Sequence, residues 1–542
     1  MSDHPTLPPG PAGRRRFLAQ ATLCSTALLA SPLLPMQTRA GTRASTATTR
    51  SGRIAGLNGD GVHVFRGIPY GADTAPRRFQ RALREAPWTG VRDATRFGAS
   101  APQRGDADGQ PVSEDCLFLN VCTPGLRDDG RRPILVYVHG GGYNNGSGSH
   151  PLYDGAHLCR HGDVVVVTVN HRLNAFGYLY LGELDDERLR DSGNVGQLDL
   201  IDALRWVREH AGEFGGDAGN VTVFGQSGGG AKIATLMAMP EADGLFHRVM
   251  TMSGQQVTAA GPHAAAQRAG LFLRQLGLGP RDADRLLSLP MARLLDAARV
   301  RDPSPVEDTA LYFGPVMDSR SLPRHPFYPD APAQSARVPM IIGNTRDETR
   351  AFLGHDEAHF ALTWQQLPQK LREQQYVDLS PKAVIAEYRR LYPHYTPSEV
   401  FFAATTAGRS WRGAVIEAEE RAEQGAPAWA YQLDWRSPAE GGRLRAFHTL
   451  DIPLVFGNTA TNGSKTGDNA RARAMAARMR DALIAFAHHG DPNHAGLPHW
   501  EPYALPRRQT MVFDDESRMQ DDPRGGERRL YERVPFIQRG TQ

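Results

Sequence analysis

Along this chain, runs of apolar residues alternate with segments whose apolar positions recur every three or four residues. Val221-Thr222-Val223-Phe224 is β-branched or aromatic at nearly every position, as in a buried strand. Val164 to Val169 is a continuous apolar run, typical of a strand covered on both faces. Leu117 to Val121, Pro133 to Val138, Arg248 to Met252, Val338 to Ile342, Ala428 to Leu433 and Met511 to Phe513 read as further strands. Arg53 to Tyr70 reads as a hairpin, with Asn58-Gly59-Asp60-Gly61 as its turn. Leu198, Ile201, Leu204 and Val207 lie on one face of a helix over Leu198 to His210. Ala264–Leu276, Asp282–Ala298, Pro381–Leu391 and Ala470–His488 are helical in pattern as well. This alternation predicts an α/β architecture with a mostly parallel, doubly wound sheet. Residues 256–337 and 350–425 are expected to be helical insertions able to roof a pocket.

Composition changes this picture little. The chain has 542 residues, of which 40% are hydrophobic and 22% charged, ordinary for a globular protein. Its formal net charge is +3. Arg14, Arg15, Arg16 and Arg39 set against Asp3 give the same +3 within residues 1–40, so the remainder is formally neutral. The basic balance therefore belongs to the leader and gives no case for nucleic-acid binding, so no nucleic-acid partner is expected.

That leader has the features of an export signal. Arg14-Arg15-Arg16-Phe17-Leu18 resembles the twin-arginine motif, and an interrupted apolar run follows to Leu34. Thr38-Arg39-Ala40 could precede cleavage. The expectation is export to the periplasm or medium, with one mature domain over residues 41–542. A stable membrane anchor is not expected, because the run is short and only mildly apolar for a span of about 20 residues. Cys24 lies in the leader, leaving Cys116, Cys122 and Cys159. Cys116 and Cys122 flank one predicted strand, whose span of roughly 20 Å is far too long for a disulfide. No disulfide framework is expected.

Candidate chemistry sits where the strand at Val221 ends. Gly225-Gln226-Ser227-Gly228-Gly229 fits G-x-S-x-G, and Ala231 to Met239 continues as helix. A serine on such a turn is lifted clear of the sheet beside the N–H groups of a helix start. The pentapeptide alone would also fit an ordinary glycine-rich turn. Upstream, His139-Gly140-Gly141-Gly142 follows another strand, and a triple glycine lets backbone N–H groups approach a substrate oxygen. A base and an orienting carboxylate should lie downstream. Of eight histidines after residue 340, His448 stands out, in a loop before the apolar Ile452 to Phe456. Beyond the strand at Val338, Asp347 and Glu348 are both candidates for the acid, and spacing does not choose between them.

Longer motifs carry a resemblance. Glu114-Asp-Cys-Leu-Phe-Leu-Asn120-Val, Phe214 through the serine turn, Asn170-His171-Arg172-Leu173 and Ala446-Phe-His448-Thr-Leu-Asp451-Ile-Pro are similar to segments of the type-B carboxylesterase family of α/β-hydrolases. The resemblance covers Ile54 to about Phe536. It implies the α/β-hydrolase fold and a serine carboxylesterase acting on a small-molecule ester through an acyl-enzyme, which with the leader makes the expectation an exported one. It implies Ser227 as nucleophile, His448 as base and Glu348 as acid, with Asp347 only a neighbour. Gly141, Gly142 and Gly228 would form the oxyanion hole, and Ser253 would support the acid. Glu114 and Arg172 would form a structural ion pair. Neither cofactor nor metal is called for, and the oligomeric state is left open. Two departures stand out. Gln226 replaces the glutamate usual before the serine. Ala101-Pro102-Gln103 stands where a cysteine partner for Cys116 would be expected. A non-catalytic binding protein on this fold, and a hydrolase of amides or long-chain lipids, are the competing readings.

Overall fold

The computed structural model describes residues 43–105, 107–304 and 310–541. The expected leader, residues 1–40, lies outside them. Thirteen strands form one sheet: β1 (Arg43–Thr48), β2 (Arg53–Gly59), β3 (Val62–Pro69), β4 (Val91–Asp93), β5 (Phe118–Thr123), β6 (Arg132–Val138), β7 (Val165–Val169), β8 (Gly216–Gln226), β9 (Arg248–Met252), β10 (Met340–Thr345), β11 (Ala428–Leu433), β12 (Gln509–Phe513) and β13 (Arg518–Asp521). Their order is β1-β2-β3-β5-β7-β6-β8-β9-β10-β11-β12-β13, with β4 beside β2. From β7 through β12 every pairing is parallel. The flanking pairings β1-β2, β2-β3, β3-β5, β5-β7 and β12-β13 are antiparallel.

The central strands are apolar throughout because both faces are covered. On β6, Ile134, Val136 and Val138 pack into one core with the helix Val195–His210, whose Leu198, Ile201, Leu204 and Val207 face the sheet. Leu135 and Tyr137 point the other way, into a second core with the helix Ala470–His489. Successive side chains of a strand point to opposite faces, so one apolar run supplies both layers. The two long insertions each carry a smaller core. Phe272, Leu286, Leu294 and Phe313 pack together in the first, and Leu367, Tyr388, Phe401 and Phe402 in the second.

The helix expected over Asp282–Ala298 is two helices, Ala283–Ser288 and Met291–Ala297. Pro290 separates them: it has no N–H for an interior helical bond and holds its predecessor extended. No helix among the described residues is long and apolar enough to cross a membrane.

The expected pairing of Glu114 with Arg172 is corrected. Arg78 Nε donates to Glu114 Oε2 at 2.7 Å, and a second nitrogen reaches Oε1. Arg172 instead forks onto Asp199, with Nε to Oδ2 at 2.8 Å and Nη2 to Oδ1 at 2.6 Å. Asp199 also accepts the backbone N–H of Arg172. One carboxylate on the helix Val195–His210 thus satisfies Arg172 three times over, in the two-pronged geometry a guanidinium favours.

Candidate active site

The site gathers at the C-terminal ends of the parallel strands, where loops of an open α/β sheet leave a crevice. Ser227 follows β8 directly and has φ 57° and ψ −129°. That conformation is strained for a residue with a side chain, at a cost on the order of 1–3 kcal/mol. The surrounding structure holds it in place. Its N–H donates to Met252 O at the end of β9, and its carbonyl lies where a Cβ on Gly254 would come within 1.8 Å. The helix Gly228–Leu236 begins at the next residue, so the Gly228 N–H points out of the first turn with no partner inside the helix.

Gly141 and Gly142 follow β6 and face that helix start. Both have positive φ, 83° and 62°, which glycine adopts without steric penalty. A Cβ on Gly228 would lie 2.0 Å from the Gly142 carbonyl oxygen. Among the described residues, neither the Gly141 nor the Gly142 N–H has a protein acceptor. Gln103 braces the far end of this loop: its Nε2 donates to Gly146 O at 3.0 Å, and its Oε1 accepts from Gly146 N at 2.8 Å. From below, the buried Lys232 Nζ donates to His139 O at 3.2 Å. Burial pushes the Lys232 amine down to about 7. Burial, then the Lys232 charge, pushes the His139 imidazole down to about 3, so that ring is neutral at ordinary pH.

Glu348 immediately precedes the helix Thr349–Leu353 just after β10, and His448 stands in the loop after β11. Parallel pairing of β10 with β11 brings the two loops side by side, and Asp347 N bonds Ala446 O between them. His448 Nδ1 donates a hydrogen bond to Glu348 Oε2. Glu348 Oε1 accepts from Thr345 N at 3.0 Å, and Ser253 Oγ lies against the same N–H. Burial raises the Glu348 carboxyl, but His448, Ser253 and Thr345 outweigh it, and the acid lies below its usual range. Asp347 pairs with Arg350 at 3.3 Å, so the geometry separates the two acids that spacing could not. The Gln226 amide sits 3.3–3.4 Å from both ring nitrogens of His448.

Ser227, His448, Gly141, Gly142 and Gly228 line one cavity of about 530 Å³, together with Gln226 and Ser253. A hydroxyl, an imidazole backed by a carboxylate, and open N–H donors around one space are the parts of acyl transfer. Sequence reading did not single out Gln103 or Lys232 as supports of the site. Lys232 left a faint signal, a lone charge in the otherwise uncharged Ala231 to Met239. Asp451 was quoted only within a motif. It is fully buried, hydrogen-bonded to Tyr431 Oη at 2.9 Å, and raised to about 6 by burial and then by Glu348. Among the described residues, no group of His, Cys, Asp and Glu is arranged to hold a metal ion.

Comparison with known proteins gives the same picture across the chain. A family model described as "Carboxylesterase family" matches residues 43–530. The para-nitrobenzyl esterase of Bacillus subtilis (strain 168) is 34% identical over 492 residues, which is 89% of this chain and 97% of that protein. The phenmedipham hydrolase of Pseudarthrobacter oxydans is 33% identical over 493 residues, 87% of this chain and 95% of that one. Among solved structures, a carboxylesterase of Geobacillus stearothermophilus superposes with a TM-score of 0.79 at 37% identity. The match covers 90% of this chain and 99% of that one.

Proposed function

The chain belongs to the carboxylesterase family of α/β-hydrolases, enzymes that hydrolyse carboxylic esters, and on that premise we propose that it works through Ser227, His448 and Glu348 by way of an acyl-enzyme. The observation that carries this reading is the His448–Glu348 hydrogen bond beside a strained Ser227 in one cavity.

Ser227 Oγ attacks the ester carbonyl while His448 Nε2 takes its proton. Glu348 holds the Nδ1 proton and stabilises the imidazolium. The carbonyl oxygen gains its charge among the N–H groups of Gly141, Gly142 and Gly228, each worth roughly 3 kcal/mol by analogy with single-donor deletions. His448 then protonates the leaving alcohol as its bond to the carbonyl breaks. Water repeats the sequence, frees the acid and restores Ser227. Gln226 places a neutral amide against the imidazole where the resembled family has a carboxylate. The imidazolium therefore gains no second negative charge.

Ser227→Ala should lower kcat on a short-chain aryl ester by roughly 10⁴-fold or more while the chain stays folded. Unchanged turnover would sink this mechanism and favour a binding protein on the same fold. Rates on anilides and on emulsified triglycerides, set against aryl esters, separate ester from amide and lipid preference.

We also propose export of the mature domain from near Gly41, supported by the arginine pair, the apolar run and a family match that begins only at residue 43. Replacing Arg14 and Arg15 by Lys should leave activity inside the cell. If fractionation still found the enzyme outside, twin-arginine export would be ruled out.

A further inference from the structure

The helix Gly228–Leu236 lies against the glycine loop along a whole turn rather than at one point. A Cβ on Gly228 would come 2.0 Å from Gly142 O, and one on Gly229 would come 2.0 Å from Val138 O. One turn after Gly228, on the same face, stands Lys232. Its Nζ donates to His139 O at 3.2 Å and lies 5.4 Å from the Tyr143 ring centroid. His139 and Tyr143 are the residues on either side of Gly140-Gly141-Gly142. One ammonium therefore grips both ends of the loop whose N–H groups face Ser227. Tyr143 is fixed in turn, its hydroxyl donating to Gln256 Oε1 at 2.8 Å.

This is an unfavourable place for a charge. Lys232 is fully buried, and a buried ammonium ordinarily has a carboxylate beside it. Among the described residues no carboxylate pairs with it, and burial alone pulls its amine down to about 7. The titratable groups that face it are His139, His171 and Tyr143. Burial, then the Lys232 charge, pushes the His171 imidazole far down, as it does His139, and the two rings lie 4.6 Å apart. Burial pushes the Tyr143 hydroxyl well above its usual range. From the helix Val195–His210 the facing group is an amide: Gln197 Nε2 donates to the Lys232 carbonyl oxygen at 3.0 Å. All of these groups are neutral near pH 7, so nothing beside the ammonium cancels its charge. In a medium of low dielectric such a charge is felt over several ångströms by any negative charge that forms at the loop.

Building on the serine-hydrolase reading, we propose that Lys232 is a positioning residue of that reaction: its ammonium fixes the glycine loop from beneath and stabilises the oxyanion that forms above it. Lys232 is not among the residues that line the Ser227 cavity, so it acts through the loop and not on the substrate directly. The carbonyl oxygen of a bound ester is uncharged and gains its charge only as Ser227 attacks. Stabilisation of that charge belongs to the transition state and is read in kcat, not in KM.

Lys232→Met keeps most of the stem and removes the charge. On a short-chain aryl ester its kcat near pH 6 should be lower by about tenfold or more, with KM within about threefold of wild type. The thermal midpoint should hold or rise, because an unpaired buried charge is gone. Lys232 carries its proton below about 7 and loses it above. The wild-type-to-variant ratio of kcat should therefore shrink as pH rises past about 8. Taking the ratio cancels the titration of His448, which both proteins share. If Lys232→Met does not fold, Lys232→Gln is measured in the same way. Wild-type kcat in the folded variant, a loss confined to KM, or a kcat ratio that stays constant from about pH 6 to about pH 9 would each overturn the proposal. The hydrolase reading is scored separately: it fails if Ser227→Ala keeps its turnover, whatever Lys232 does.

Discussion

Glu417 is wholly buried on the helix Arg412–Glu423. Its Oε1 accepts from Gln256 N, and its Oε2 has no hydrogen-bond partner among the described residues. Burial raises its pKa from 4.5 to about 8, opposed only by the Gln256 N–H. Between those values the folded protein keeps a proton that the unfolded chain has lost, so stability falls as pH rises through that window. Glu417→Gln keeps the shape and the acceptor but removes the titration. The gap in thermal midpoint between about pH 5 and about pH 8 should shrink in the variant, which should be the more stable protein at the higher pH. Equal gaps in both proteins would rule this out. Glu417 shows the limit of reading single residues from sequence: one glutamate in a row of charged helix residues gives no sign of being the one turned inward. Asp347 and Glu348 pose the same problem as neighbours of one type. Ser227 was legible because its neighbours are glycines, and those are needed only where backbones crowd together.

At the scale of elements, the junction of β8 with the helix Gly228–Leu236 is held by contacts to two other strand ends. Gly228 meets the carbonyl of Gly142 after β6, and Ser227 meets Gly254 after β9. Gly228→Ala would put a methyl 2.0 Å from the Gly142 oxygen, a backbone atom that cannot swing aside. The glycine loop would have to retreat, carrying two of the proposed oxyanion donors with it. The expected outcome is a loss of about 10²–10³ in kcat together with a lower thermal midpoint. A variant with wild-type kcat would mean that this close approach is not needed for the chemistry. Most elements were legible from periodicity: β9 and β11 match their expected bounds, as does the helix Pro381–Leu391. The edge strands β1, β4 and β13 were not foreseen, since short polar edge segments such as Arg518-Met519-Gln520-Asp521 have no apolar face to reveal them. The π-helical turn at Ala407–Trp411 was also hidden, because a single widened turn leaves the apolar spacing almost intact.

Across the whole molecule, Cys116, Cys122 and Cys159 are buried free thiols in a chain argued to leave the cytosol. A structural disulfide would contribute about 2–4 kcal/mol, and reducing it would lower the thermal midpoint. Here a reductant should leave the midpoint unchanged, and a thiol reagent should count three cysteines only after the mature chain is unfolded. A midpoint that drops with reductant would show a bridge. By itself, the sequence determined the order of the central strands and most helices, the serine turn and the glycine loop, because each is written in contiguous residues through periodicity and local steric demand. Residue spacing left open which acid faces His448, and beyond the family resemblance only the tertiary structure decided it, because Glu348 and His448 stand 100 residues apart and meet through the pairing of β10 with β11. It likewise decided that Arg172 turns to Asp199 rather than Glu114, and that Lys232 reaches the carbonyl of His139. Such choices depend on which of many like-charged side chains the packed sheet and its insertions bring within reach, and no local pattern encodes that distance.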